Sequence, residues 1–304
     1  MRVVLTNYPI AQSDFSFKES GDVPLTNLMM VDVHELLKTA SFKKRNLSGL
    51  RCAMLRNYVA VKGFGTIVNK ETGKVVVNKV LNVDGTYYVQ SLTEKVIFDL
   101  SNFNLMFSKI LQITNANLDN ALIRGAEMSI SLEQLYSTYD YNHGKLVDMQ
   151  FNECNFENGK FTKINFAGTT FGKGCNLKNA DFTDSKISWV SFDSKQNVTV
   201  DQIKSTTDFK NKKLLHVTIH GVDFSNVDLS GFDLSGSRFR GCNFRNVNCT
   251  DAVVTDCNLS LCEPPVSIAQ MKSTWNYKNN YMRGIILPEK IQKELDAEKQ
   301  KNKN

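Results

Sequence analysis

The sequence predicts a mainly β fold in which the chain coils, and three observations support this prediction. Over long stretches, every fifth residue is apolar. The residue two places before each of these positions is mostly small or β-branched. A longer repeat, in which helix-start signals recur at a constant spacing, interrupts the five-residue rhythm. An α-helix repeats about every 3.6 residues and a flat strand about every 2, so neither would bury every fifth position.

The clearest run of the rhythm starts at Leu214. Its large apolar residues, called central residues below, are Leu214, Ile219, Phe224, Leu229, Leu234, Phe239, Phe244, Cys249, Val254 and Leu259. The small positions two places earlier hold Val217, Val222, Val227, Ser237, Cys242, Val247, Ala252 and Cys257. Turn-forming Ser, Asn and Gly follow most central residues, so each unit predicts a short extended side closed by a corner.

The same rhythm occurs upstream in two further runs. The stronger run has the central residues Leu146, Phe151, Phe156, Phe161, Phe166 and Phe171, and after a one-residue slip near Gly172 it continues with Leu177, Phe182, Ile187 and Phe192. Its small positions hold Cys154, Gly159, Thr169, Cys175, Ala180 and Ser185. The weaker run has Ile113, Leu118, Ile123 and Met128, with Ala116, Ala121 and Ala126 in the small positions.

These runs resemble the pentapeptide-repeat family. The resemblance implies a right-handed quadrilateral β-helix with four units per coil, in which the large and the small residue of each unit both point inward. We therefore expect a β-helix over residues 93–288, preceded by a β-rich capping or interaction domain at 1–92 and followed by a polar tail at 289–304. A solenoid of this kind is a structural device, because each unit buries its core only against its neighbours.

The longer repeat predicts short helical inserts. Ser131–Gln134, Thr199–Gln202 and Ser267–Gln270 each have the form of a capping box, and Asp32–Glu35 is a relative nearer the N-terminus. We expect each to start one brief helix. The residues that pack these helices against the coil are predicted to be Leu135, Ile203 and Met271, and the aromatics that cover the return of the chain are Tyr141, Phe209 and Tyr277.

Lys210 and Lys278 lie beside two of those aromatics and allow two interpretations. The lysines and aromatics could form a recognition face. Their repetition at equivalent positions favours a structural role.

The region before residue 92 has a different pattern. Residues 58–68 and 74–83 are rich in valine and alternate apolar with polar positions, and Asp84-Gly85 offers a hairpin turn before Thr86. A small antiparallel β domain is predicted here, and it would cover one end of the coil, where unpaired backbone groups need protection. The stretch Glu71–Lys74 lacks the preceding glycine of a phosphate loop. At the other end Pro288 stops the rhythm, and residues 289–304 are expected to form one or two helical turns and a solvated tail.

Composition excludes several classes of site. No apolar run approaches the roughly 20 residues of a membrane span, and the N-terminus lacks the pattern of a secretory signal. The seven cysteines include no CxxC pair, and most fill small or central positions, so we expect buried thiols in a reducing compartment. His216 and His220 fall on different sides of a corner, and no metal or cofactor site is predicted. Cys262 is the one cysteine that looks displaced from a ladder, which leaves an active thiol as a minor alternative.

Charge bears on the choice between functions. The chain has a net charge of +6, but within residues 146–192 and within residues 212–262 acidic and basic side chains balance. A neutral ladder does not imitate a polyanion, which disfavours a topoisomerase-protecting DNA mimic. Basic residues are mixed with acids rather than gathered on one face, so no nucleic-acid binding is predicted. Lys43–Arg45 and Lys210–Lys213 are small basic clusters typical of a solvated surface.

No catalytic constellation is recognisable, and the inward-facing residues are used for packing. The arrangement of ladders broken by capped inserts, behind an N-terminal β-rich region, also resembles bacterial type III-secreted effectors, including HECT-like ubiquitin ligases but without room for their catalytic lobe. We therefore predict a non-enzymatic scaffold that binds a protein partner, in the bacterial cytoplasm or secreted into a host cell without a cleaved signal peptide. The alternative is an enzyme whose site lies in residues 1–90.

Overall fold

The computed structural model describes residues 30–32, 45, 51–56, 59–61, 66–68, 75–77, 80–83, 86–89, 98–112, 116–193 and 197–301. The chain divides into two compact units, Met1–His143 and Gly144–Asn304, and each is described by itself. The predicted capping box at residues 32–35, the Asp84-Gly85 turn and the central residue Ile113 lie wholly or mostly outside the described residues.

The first unit contains both parallel and antiparallel strands. Its strands are β1 (Met30–Asp32), β2 (Arg51–Arg56), β3 (Val59–Val61), β4 (Thr66–Val68), β5 (Val75–Val77), β6 (Val80–Val83), β7 (Thr86–Val89), β8 (Phe98–Asp99), β9 (Lys109–Gln112), β10 (Ala116–Asn117) and β11 (Glu127–Met128). Parallel pairing gives the order β1-β2-β9-β11 and a separate pair, β8-β10. Strands β3-β4-β5 and β6-β7 are antiparallel.

The antiparallel strands therefore lie, in sequence, between two strands of one parallel sheet. Arg51 of β2 pairs in register with Lys109 of β9, so the parallel ladder begins well before residue 93. The valine-rich segments do form antiparallel strands, and β6 and β7 pair across the expected hairpin turn. The domain boundary at residue 92 stays a prediction.

The second unit is a stack of coils joined by parallel strands. Its strands are β12 (Gln150–Phe151), β13 (Thr170–Phe171), β14 (Ser191–Phe192), β15 (Thr218–His220), β16 (Arg238–Arg240) and β17 (Asn258–Leu261), paired in that order. Thr218 pairs with Arg238, so the chain returns to the same side after four repeat units. Thr170 pairs with Ser191, so that coil is longer by a single position, which accounts for the slip near Gly172.

The ladders fill the interior, as the rhythm predicts. Every described central residue from Leu118 to Leu259 in the three runs is buried, and so are the small positions that the sequence assigns. Phenylalanine rings stack from coil to coil, with Phe171 and Phe192 parallel at a centroid distance of 5.5 Å. Three small positions hold large residues, Met149, Ile164 and Phe232, which are also buried. Parallel strands and inward ladders make the fold a β-helix solenoid.

Each helical insert contains two short helices where one was expected. They are α1 (Leu132–Ser137) and α2 (Tyr139–Asn142) in the first unit, and α3 (Val200–Lys204), α4 (Thr207–Lys210), α5 (Ile268–Ser273) and α6 (Trp275–Lys278) in the second. All three predicted capping boxes are present, and Leu135, Ile203 and Met271 are buried. The second helices are N-capped by Thr138, Thr206 and Thr274, whose hydroxyls each accept a backbone N–H. The sequence analysis missed the second helix because its cap follows the first cap after only a few residues.

The C-terminal segment forms a helix that is longer than expected. Helix α7 (Glu289–Lys301) has 13 residues, and its Leu295 is buried. The ammonium of Lys272 in α5 lies 2.5 Å from a carboxylate oxygen of Glu298, so α7 packs beside α5 rather than fraying at once. After the last insert, Leu287 is buried and Met282, five places earlier, is half-buried. Among the described residues, no helix is long and apolar enough to cross a bilayer.

Candidate functional site

The interior offers buried thiols with little nucleophilic character. Burial raises the pKa of Cys242 and Cys249 to about 11 and that of Cys262 to about 12. The Cys262 thiol donates a weak hydrogen bond to the carbonyl of Phe239 at 3.6 Å, just as the Cys242 thiol does to Ile219 one coil earlier. Cys262 thus occupies the next small position of the ladder and is not displaced from it. Because a thiolate is the reactive form, this environment does not support an active thiol.

Cys175 differs from the other interior cysteines. A hydrogen bond with the Cys154 side chain lowers the pKa of Cys175, and burial opposes this effect. Both thiols are buried, so neither meets solvent. The pair fills two small positions in neighbouring coils.

The described histidines do not form a metal site. Within the described residues, no group of three or more His, Cys, Asp or Glu side chains could hold a metal ion. The ring of His143 stacks on Tyr139, with centroids 3.7 Å apart. His216 is a corner residue and His220 lies on strand β15. The pKa of His220 is lowered, chiefly by burial; the charge of Asp193 opposes this effect and that of Arg240 adds to it.

The helical inserts use polar side chains for structure, of which Asp140 and Asn276 are buried and Asp208 is half-buried. Asp140, Asp208 and Asn276 are equivalent residues of the longer repeat, and each accepts hydrogen bonds from the backbone of the coil beneath it. The Asp208 carboxylate accepts the Ser188 N–H at 2.8 Å, and the Asn276 amide oxygen accepts the Val254 N–H at 2.7 Å. Elsewhere in the stack, carbonyl groups of the next coil accept such N–H groups. Here the side-chain oxygens of the insert accept them instead. The sequence analysis missed them, although their constant spacing was a visible signal.

The glutamines of the capping boxes have a second role. Besides capping, the side-chain N–H groups of Gln202 and Gln270 donate to carbonyl oxygens of the neighbouring coil at 2.7–3.0 Å. Lys210 and Lys278 form ion pairs with Asp184 and Asp251, at 2.6 and 2.7 Å. Their charges are matched within the fold, which favours a structural role over a recognition face.

The corners between the sides of each coil have a left-handed backbone. The residue two places after a central residue has a positive φ at nearly every corner, and most of these residues are Asn, Asp or Gly. Trp189 has φ +66° and His216 has φ +53°. A bulky side chain in this conformation costs about 1–2 kcal/mol relative to glycine, so Trp189 is a local outlier.

Trp189 and His216 form a stacked pair at equivalent corners of neighbouring coils. Their rings are 3.7 Å apart and 11° from parallel, and 58% of Trp189 remains exposed. A Cβ atom placed on Gly236, the next corner residue, would collide with the imidazole of His216. Glycine at that corner therefore lets the imidazole lie flat over the next coil. The corner holds an ordered aromatic pair that the protein does not bury.

Beside this pair lies the outer face of strands β14–β16. The outward residues Ser191, Thr218 and Arg238 are partners across the three strands, and His220 is the partner of Arg240. We call the set Trp189, His216, Thr218, His220, Arg238 and Arg240 the Trp189 surface. Neither arginine lies within ion-pair distance of a carboxylate among the residues that the structure describes. The sequence analysis missed this surface because pairing between coils of unequal length brings its members together.

Comparison with known proteins bears on the fold. Residues 223–260 match the family model described as Pentapeptide repeats, with 8 copies. No curated protein matches the chain in sequence.

Solved structures similar to the chain include two pentapeptide-repeat proteins. One is HetL, involved in heterocyst differentiation regulation in the cyanobacterium Nostoc sp. strain PCC 7120, with 13% identity over 64% of this chain and 84% of that chain, at a TM-score of 0.19. The other is full-length QnrB1, a plasmid-mediated fluoroquinolone resistance protein, with 14% identity over 67% of this chain and 98% of that chain, at a TM-score of 0.23. A likeness of this level bears on neither partner nor activity, and the resemblance to secreted effectors gains no support from it. The chain thus contains a region that matches pentapeptide repeats, in a β-helix solenoid.

Proposed function

We propose that this protein is a non-enzymatic scaffold that binds another protein through the outer surface of its β-helix. The observation that carries the proposal is the contrast between the inward residues of the coils, which are used for packing, and the outward residues, which are exposed. Central and small positions are buried from coil to coil, whereas the aromatic pair Trp189 and His216 and two arginines with no ion pair to any described carboxylate lie on the outside. A filled interior leaves the outer faces as the place where a ligand can be contacted.

The residue types on that surface also support protein binding. Tryptophan and arginine are enriched among the residues that dominate the energy of protein interfaces. The coils hold their outward side chains at fixed spacing, so little backbone ordering is required when a partner binds. The proposal takes each coil as four-sided and right-handed, which the resemblance to pentapeptide repeats implies. The pairing of Thr218 with Arg238 supports the count of four sides.

Site-directed photo-crosslinking tests the proposal. A benzoyl-phenylalanine residue replaces, one at a time, the outward residue before the central residue on four successive sides: Thr218, Asp223, Asp228 and Asp233. We expect one protein to be crosslinked from one side or two adjacent sides, and not from all four. Mass spectrometry identifies the adducts. If no position gives an adduct above the level without irradiation, the scaffold function is wrong.

The location of the partner is a separate part of the proposal. The resemblance to type III-secreted effectors implies a partner in a host cell, reached without a cleaved signal peptide. A fusion of the full chain to a calmodulin-dependent adenylate cyclase tests this. We expect cyclic AMP in host cells exposed to bacteria with an intact secretion apparatus and none with an apparatus mutant. Equal signals from both strains, or no signal from either, would place the partner in the bacterial cytoplasm instead.

A further inference from the structure

We propose that the Trp189 surface is the docking site for an extended, acidic segment of the protein partner. This inference rests on the proposed scaffold function and adds to it the place of contact and the chemistry of the ligand. The segment lays carboxylates against Arg238 and Arg240 and an apolar side chain against Trp189.

The charge of the surface favours an acidic ligand. Six described lysines form ion pairs within the protein, whereas others, such as Lys145 and Lys213, and also Arg245 have none among the described residues. Arg238 and Arg240 differ from these in lying two places apart on one strand beside an exposed aromatic pair. Arg238 and Arg240 are exposed, and no carboxylate of the described residues lies within ion-pair distance of either. On this face, Asp193 is the one acidic residue whose charge affects the pKa of His220. Two guanidinium groups therefore remain to be matched by a ligand, and guanidinium binds carboxylate in a bidentate manner.

The spacing of the arginines favours an extended segment. Arg238 and Arg240 are both outward residues of strand β16, so their Cα atoms are about 7 Å apart, which is two residue steps along a strand. Alternate residues of an extended peptide repeat at the same distance. A segment with acidic residues at alternate positions would therefore meet both arginines at once. Thr218 and His220 on the adjacent strand lie directly beside them.

The aromatic pair supplies the apolar contact. Trp189 keeps 58% of its surface exposed while its ring is fixed by His216. A large side chain that is held rigid loses little entropy when it is covered. Its left-handed backbone is a strained conformation for tryptophan, and strain of this kind clusters at functional sites. Glycine, which occupies the equivalent corner at position 236, would be free of that strain.

A nucleic acid is a less suitable ligand for the same surface. Two arginines on one strand, with Asp193 nearby, make a small positive patch rather than the long basic stripe that tracks a phosphate backbone. The exposed tryptophan could stack on a base, so the experiment includes this outcome. The proposal commits to a polypeptide.

Peptide selection against the full-length protein tests the inference. The probe is a phage library of random linear dodecapeptides, and affinities of the enriched peptides are measured by fluorescence anisotropy. We expect the enriched peptides to contain at least two acidic residues and one apolar residue. The double variant R238E/R240E should weaken their binding at least tenfold. Trp189→Gly should weaken it at least fivefold while leaving the thermal midpoint equal or higher.

Two matched variants serve as controls. Arg245→Glu makes one Arg-to-Glu exchange, half the charge change of the double variant, on the next side of the coil. Lys163→Gly makes the corner substitution at another left-handed position, φ +62°. Both should bind the peptides within twofold of the unmodified protein. Circular dichroism verifies that each variant is folded, and a surface variant that does not fold is replaced by R238Q/R240Q.

The other outcomes separate the two levels of the proposal. If enriched peptides bind equally well to R238E/R240E and Trp189→Gly, the surface is wrong while the scaffold function stands. If labelled single-stranded or duplex DNA or RNA binds, loses affinity in R238E/R240E and is not displaced by the acidic peptides, the surface binds nucleic acid and the proposal is overturned. If no peptide is enriched and no crosslinked protein is found, both the surface and the scaffold function fail.

Discussion

The coils between Leu146 and Phe192 and the coils between Leu214 and Leu259 fill similar interiors with different side chains. In the first set most central residues are phenylalanine, and the small positions hold residues such as Cys154 and Gly159. In the second set leucine, isoleucine, valine and cysteine replace many of the rings, and the small positions hold valines and even Phe232.

The difference shows that the volume of each layer is shared between two positions. Beside Phe161 the ring occupies space that the small position leaves open, because Gly159 has no side chain there, whereas Met149 and Ile164 are buried before Phe151 and Phe166. Where the central residue is smaller, the small position carries more, as Phe232 does before Leu234. Protein interiors are packed to nearly constant density, so the side chains around a position must accommodate any change of volume there.

The inserts that close the two sets differ as well. Asp208 accepts the backbone N–H groups of the coil that contains Ile187, whereas Asn276 serves the coil that contains Val254. The Asn276 amide also donates to Thr255 Oγ1 and to the carbonyl of Tyr281, both at 2.9 Å. A carboxylate cannot make those two donations. The two inserts perform one structural task, but only the second demands an amide.

The largest expected effect comes from removing a ring from the phenylalanine set. Phe171 has ring partners in three coils, among them Phe151 at 5.7 Å and Phe192 at 5.5 Å. Phe171→Ala should lower the free energy of unfolding by about 4 kcal/mol, because it leaves a cavity that neighbouring rings cannot fill. Cys249→Ala, at a central position of the second set, should cost about 1 kcal/mol. Urea denaturation checks both, and equal losses would contradict the view that the rings carry the first set.

An exchange of the insert residues should have the next largest effect. Asn276→Asp should lower the free energy of unfolding by about 2–3 kcal/mol at pH 7, since it buries a carboxylate against a carbonyl oxygen. Asp208→Asn is the matched exchange, and it should cost less than about 1 kcal/mol because the amide oxygen still accepts the backbone N–H groups.

The penalty of Asn276→Asp should depend on pH. Burial raises the pKa of Asp140, at the equivalent position of the first insert, above the ordinary 3.8. A carboxyl whose folded pKa is raised contributes stability that is present below its unfolded pKa and is lost as the pH rises through the folded pKa. The variant should therefore approach the unmodified protein below about pH 4 and fall away from it above. A penalty that stays constant from acidic to neutral pH would contradict this reasoning, and thermal midpoints across that range measure it.

The smallest effect is expected from a substitution at a small position, Gly159, that lies against the central residue Phe161. A Cβ atom on Gly159 would lie 2.8 Å from the Phe161 ring and 2.9 Å from the Phe156 carbonyl oxygen. Gly159→Ala should therefore lower the free energy of unfolding by about 1–2 kcal/mol through overpacking. Combining it with Phe161→Leu should cost less than the sum of the two single changes, because the smaller side chain frees the space. A double-mutant cycle measures this coupling, and strict additivity would show that the positions do not share volume.

Much of the fold could be predicted from the sequence because each five-residue unit shows its own inward and corner positions. The central residues, the slip near Gly172 and the three capping boxes were predicted and are present. The second helix of each insert was missed, because its cap, such as Thr206, follows the first helix too closely to form a separate pattern. The length of α7 was also missed, since its one buried leucine, Leu295, acquires a partner only in the folded chain.

The residues that lie inside follow from the sequence alone, since a buried residue at every fifth position is a local and periodic requirement. Which outward residues become neighbours depends on how the coils pair in the folded chain. Ser191 pairs with Thr218 and Thr218 with Arg238, although the first pair is farther apart in sequence, because an insert lengthens one coil and not the next. That register places Trp189 over His216 and sets both beside Arg238. Backbone hydrogen bonds between coils fix this register, and no single five-residue unit determines which other unit it pairs with.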